Sequence, residues 1–82
     1  MFYVYVLESK IDGSYYVGQT RNLQERIKRH NTGRSIYTKA KMPWELVYFE
    51  EFESRKEALH REQEIKSWKS KILIEELIER PD

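Results

Sequence analysis

The sequence has 82 residues, 39% hydrophobic, 35% charged and 13% aromatic, with a net charge of +1, which is enough for one domain over residues 1–82 and one core. The aromatic share argues against disorder and no apolar run reaches membrane-spanning length, while the absence of cysteine removes disulfides, thiolate nucleophiles and Cys-based zinc sites. The near-neutral total hides a partition: residues 1–20 carry −1, residues 21–41 carry +6 and residues 42–82 carry −4.

In chain order, Phe2 to Leu7 is β-branched, aromatic and aliphatic throughout, and Tyr15-Tyr16-Val17 has the same character. Asp12-Gly13-Ser14 between them is turn chemistry, so a hairpin is predicted. The chain therefore enters a strand at once, without a basic and apolar leader, and neither export nor membrane insertion is expected. A cytoplasmic setting follows as an expectation. Asn22 followed three residues later by Glu25 resembles a capping box, with Leu23 and Ile27 at helical spacing, and predicts a helix over about 22–31 that ends near Gly33. Residues 33–43 are basic and polar without a period and read as a loop. Trp44 to Phe49 restores strand composition. Ser54 and Glu57 form a second capping box, opening a helix through Ala58, Leu59 and Ile65 to about Ser67. Ile72-Leu73-Ile74 with Leu77-Ile78 reads as a third helix that stops before Pro81. The order β-β-α-β-α-α suits an α+β domain, a three-stranded, mostly antiparallel sheet packed with about three helices.

Several polar residues stand where the pattern wants apolar ones. At 100° per residue Glu62 projects between Ala58, Leu59 and Ile65 on the inner face of its helix. Burying an ionised carboxylate costs free energy unless a cation or several donors face it, so Glu62 implies a metal ion, an arginine partner or a raised pKa. The structural alternative is a rim carboxylate paired with Arg or Lys. Glu64 points to the opposite face and needs no explanation. His30 lies between Leu23 and Ile27 in projection, and Arg26 borders the same stripe one turn earlier; a hydrogen-bonded structural histidine and a snorkelling arginine are the plain readings. Arg, His and Glu meeting at one sheet edge would instead form a phosphate and metal site. Among the tyrosines, Tyr3 and Tyr5 share a strand face, whereas Tyr15 and Tyr16 take opposite faces.

With these residues in place the sequence resembles the GIY-YIG nuclease superfamily, in particular its small stand-alone members. Its two motifs stand here as Tyr3-Val4-Tyr5 and Tyr16-Val17-Gly18, followed by Gln19-Thr20-Arg21-Asn22-Leu23, Arg26, His30-Asn31 and then Glu62. The first motif carries Tyr3 where the family name has glycine. The resemblance implies phosphodiester hydrolysis, with Tyr16 as general base toward water. A phenol of pKa ~10 then needs nearby cationic charge, or a route for its proton through water held by a metal. It implies that Tyr5 positions the water or phosphate, that Arg26 holds the scissile phosphate, that His30 assists, and that Glu62 binds one divalent cation, Mg²⁺ or Mn²⁺. Arg21, Arg34, Lys39 and Lys41 would contact the nucleic-acid backbone, with Tyr37 stacking on a base. The expected substrate is DNA, cut with little sequence choice in repair or recombination. No added DNA-binding domain is expected, so a protein partner would supply target choice. Two other readings stay open: a non-catalytic nucleic-acid-binding module of the same fold, and a protein–protein interaction domain working through the acidic C-terminal half.

Overall fold

The computed structural model describes residues 1–80, so the expected stop at Pro81 and the last two residues of the 1–82 domain lie outside the described residues. Strand β1 (Phe2–Ser9) runs into a turn and returns as β2 (Tyr15–Thr20). Helix α1 (Leu23–Asn31), strand β3 (Trp44–Phe52) and helices α2 (Arg55–Ser67) and α3 (Lys71–Glu79) follow. The architecture is the α+β arrangement that the sequence predicts, with sheet order β2-β1-β3 and both pairings antiparallel.

The central place of β1 explains its composition. Val4, Tyr5, Val6 and Leu7 are all buried, because α2 and α3 cover one face of the sheet while α1 and residues 33–43 cover the other. A strand enclosed on both faces has no use for alternation, and each fully buried aliphatic side chain contributes about 1.5–3 kcal/mol. The hairpin turn is made as its residues suggest. Gly13 takes φ 75°, and Asp12 Oδ1 accepts from the Ser14 amide at 2.9 Å and its hydroxyl at 2.7 Å.

Asn22 accepts from the Glu25 amide at 3.1 Å and Ser54 from the Glu57 amide at 3.2 Å, so both expected caps form. Helix α3 begins slightly earlier than its apolar residues suggest, because Ser70 caps it through the Leu73 amide at 3.2 Å. Leu59 is a correction: expected on the inner face of α2, it is 39% exposed, since Ala58 and Ile65 take the fully buried positions and Leu59 lies to one side of them. The segment predicted as plain loop contains one 3-10 turn, Lys39–Lys41. It is held down by Trp44 Nε1 donating to the Thr38 carbonyl at 2.8 Å and Ser9 Oγ donating to the Lys41 carbonyl at 2.8 Å. Among the described residues no helix is long and apolar enough to cross a membrane.

Candidate active site

The register of the hairpin builds the floor of the site. It sets Tyr5 opposite Gly18, and a Cβ at position 18 would meet the Tyr5 hydroxyl at 2.5 Å and Cζ at 2.7 Å. The tyrosine ring therefore lies across the bare glycine backbone. Only a residue without a side chain leaves that space.

Above it, Tyr5 Oη and His30 Nε2 lie 3.1 Å apart, and His30 Nδ1 lies 2.8 Å from Thr38 Oγ1, all within the interior. Burial, aided by the charges of Arg26 and Arg29, holds His30 below the usual histidine range, so the ring is neutral at physiological pH. Burial is also the main reason that the Tyr5 hydroxyl is pushed far above the usual phenol range. Tyr16 and Glu62 act in the same direction, and Arg26 opposes them. Tyr5 is thus a neutral phenol, 1% exposed and joined to His30. Its hydroxyl is hydrogen-bonded within the site, to His30.

Tyr16 packs its ring on His30 with centroids 4.8 Å apart and meets Trp44 edge-on at 6.3 Å. Its hydroxyl has no hydrogen-bond partner among the described residues, and the side chain lines a cavity of about 300 Å³ together with Arg26, His30, Arg34 and Tyr37. Arg26 carries a buried group without a partner, since its Nε has no hydrogen-bond acceptor among the described residues. A buried donor without an acceptor is costly, and the guanidinium that carries it lines the same cavity, where it could donate to an anion.

The structure thus brings Tyr5, Tyr16, Arg26 and His30 together. Glu62 sits on α2 with its side chain 13% exposed, close enough for its charge to act on Tyr5, and is paired with Lys66 Nζ at 2.8 Å. This is the lysine-paired carboxylate weighed as the structural alternative, although Lys66 itself is half exposed. The helix that carries Glu62 is fastened by its neighbour. Arg61 makes a two-pronged bond to Glu50 of β3 at 2.9 and 3.0 Å and lies over the Trp68 ring at 5.7 Å. Burial works against the Glu50 charge, but Arg61 and the Tyr48 hydroxyl outweigh it and hold this carboxyl below its usual range.

The expected backbone contacts divide. Arg34 and Tyr37 line the Tyr16 cavity, Tyr37 almost wholly exposed, and Arg21 lines a neighbouring one. Lys41 pairs with Asp12 of the hairpin turn at 3.1 Å, and Lys39 packs along Gly33; neither lines these cavities. Two residues support the site, Thr38, which no sequence pattern singles out, and Asn31, which stands in the sequence only as part of the His30-Asn31 stretch. Thr38 holds His30, and Asn31 clasps the Trp44 backbone, accepting from its amide at 2.6 Å and donating to its carbonyl at 2.9 Å. Register counting along the hairpin would have found the reason for Gly18. Thr38 offers no such signal.

A family model described as the GIY-YIG catalytic domain matches residues 1–75. The chain is 52% identical over 67 residues to the UPF0213 protein CPE1444 of Clostridium perfringens, covering 80% of this chain and 71% of that one. It is 43% identical over 79 residues to a UPF0213 protein of Bacillus pumilus, covering 92% and 80%. The solution NMR structure of the UPF0213 protein BH0048 from Bacillus halodurans is similar at 41% identity and a TM-score of 0.59, covering 95% of this chain and 83% of that one.

Proposed function

Because this chain belongs to the GIY-YIG family, we propose that it is a divalent-metal-dependent endonuclease that hydrolyses DNA phosphodiester bonds with little sequence preference and serves repair or recombination. The observation that carries this reading is Arg26, whose buried Nε lacks an acceptor beside the cavity that Tyr16 and His30 line. A scissile phosphate seated there would accept from the guanidinium, which would also stabilise the charge that develops during hydrolysis. Tyr16, its hydroxyl without a hydrogen-bond partner among the described residues, would take the proton of an attacking water. The neutral His30, fixed between Tyr5 and Thr38, would hold the Tyr16 ring in place.

Glu62 is the residue for the metal. Among the described residues no group of three or more His, Cys, Asp or Glu side chains comes together, which does not suit a metal held in a cage of protein ligands. A single carboxylate does fit Mg²⁺ or Mn²⁺, ions that complete their shell with water and substrate phosphate. Bound there, such an ion would supply Lewis-acid stabilisation of the leaving group.

The pairing of Glu62 with Lys66 favours a second reading, in which the same cavities bind nucleic acid without turning it over. Incubating wild type and Glu62→Ala with single-stranded, duplex, nicked and branched DNA, in Mg²⁺, Mn²⁺ or EDTA at low salt, separates the two. Cleavage by wild type alone, abolished by EDTA, supports the nuclease. Salt-sensitive binding by both proteins without cleavage overturns it in favour of the binding module.

A further inference from the structure

Arg26 lines two cavities. Beyond the one shared with Tyr16, it borders a second of about 300 Å³ at the junction of β2 with α1, where Arg21 and Arg55 also lie. Arg55 is the first residue of α2, the end at which the helix dipole disfavours a cation. Neither Arg21 nor Arg55 has a carboxylate partner among the described residues. Both guanidiniums rest on one ring, Phe2, at 5.3 and 5.6 Å from its centroid. Gathering three like charges around one concavity is unfavourable by itself.

Asn22 and Thr20 of this cavity have partners within the protein, and its one carboxylate, Glu25, faces Arg29 across a loose surface pair. Asn22 Oδ1 caps α1 through the Glu25 amide, Thr20 Oγ1 accepts from the Asn22 amide at 3.1 Å, and the Glu25 carboxylate pairs with Arg29 at 3.7 Å. The three guanidiniums and Gln19 are left, donors that would close on an anion.

We propose that Arg21 and Arg55, steadied on Phe2, form with Arg26 a second phosphate subsite, which holds the backbone phosphate next to the one at Tyr16 and His30. The strand then crosses the Arg26 guanidinium, and the phosphates on its two sides fix its path over the reacting position. This deepens the nucleic-acid reading above and rests on it. Phosphate contacts of this kind position a strand without reading its bases.

Two measurements test it. In ¹H–¹⁵N spectra recorded during titration of wild type with inorganic phosphate, the side-chain Nε–H signals of Arg21 and Arg55 should shift together and saturate. Shifts that fail to saturate there would overturn the subsite. In the second, binding of a fluorescent single-stranded oligonucleotide is followed over a salt series for wild type, Arg21→Gln/Arg55→Gln and a control of equal charge loss, Lys56→Ala/Lys69→Ala. The arginine pair should weaken binding about tenfold or more and flatten the salt slope by roughly one to two, while the control leaves the slope unchanged. DNA binding by wild type with a slope that the arginine variant shares would retain the nucleic-acid reading and overturn the subsite. Saturable phosphate binding at Arg21 and Arg55 with no DNA binding would retain the anion subsite and overturn the nuclease.

Discussion

The Tyr5 hydroxyl and His30 Nε2 meet at 3.1 Å across 25 positions of sequence, joining the middle of the central strand to the end of α1. Removing the hydroxyl in Tyr5→Phe leaves a buried imidazole nitrogen without its partner while the aromatic ring stays over Gly18. Such a group costs about 1–3 kcal/mol when unsatisfied. Urea unfolding should show an unfolding free energy lower by that amount, read as a lower midpoint at an unchanged m-value. A variant as stable as wild type would mean that this hydrogen bond does not hold the helix to the strand.

His30 also makes stability depend on pH. Burial first, then Arg26 and Arg29, depress its folded pKa. An unfolded histidine takes up a proton near pH ~6.5. Below that pH the unfolded chain binds a proton that the folded ring refuses, so this contribution is whole above ~6.5 and is lost as the pH falls toward the depressed folded value. Unfolding free energy measured from pH 8 to pH 5 should decline in the lower half of that range. In His30→Gln the decline should be visibly shallower; a parallel decline would assign the effect to other groups.

Gly18 leaves no room for a side chain. Alanine there would drive its Cβ to 2.5 Å from Tyr5 Oη and 2.7 Å from Cζ, atoms of a buried ring that His30 also holds. Overpacking of this kind costs about 1–3 kcal/mol. Gly18→Ala should unfold at correspondingly lower denaturant, and the loss should shrink when Tyr5→Leu is added, because the smaller side chain vacates the contact. Additive losses in that double-mutant cycle would place the strain elsewhere in the hairpin.

Local chemistry was the legible part of this chain. Asn22 and Ser54 announced their helices because a cap is settled within three residues, and the β-branched and aromatic run of β1 announced a strand, though not that both its faces would be covered. Glu62 and His30 stood out because each broke an apolar stripe. Their partners did not, since Thr38 reaches His30 only after residues 33–43 fold back over α1, and Arg55 reaches the cavity of Arg21 only once α2 has docked on the sheet. Leu59 was misplaced for a related reason. The helical period fixes the angle between side chains but not which of them the sheet will cover.

Lys66 holds the carboxylate that the proposed metal would need, so it competes with the ion. The pair is an i,i+4 contact at 2.8 Å with the lysine side chain 51% exposed, and such a bridge is worth only about 0–1 kcal/mol. Lys66→Met keeps much of the aliphatic stem and removes the competing charge. Its stability should stay within roughly 1 kcal/mol of wild type, while the Mn²⁺ concentration that half-broadens amide signals around Glu62 falls several-fold. This readout needs no DNA and no turnover. Broadening at the same concentration in both proteins would show that Lys66 does not gate the carboxylate, and broadening that ignores Glu62 would remove this residue from the metal site.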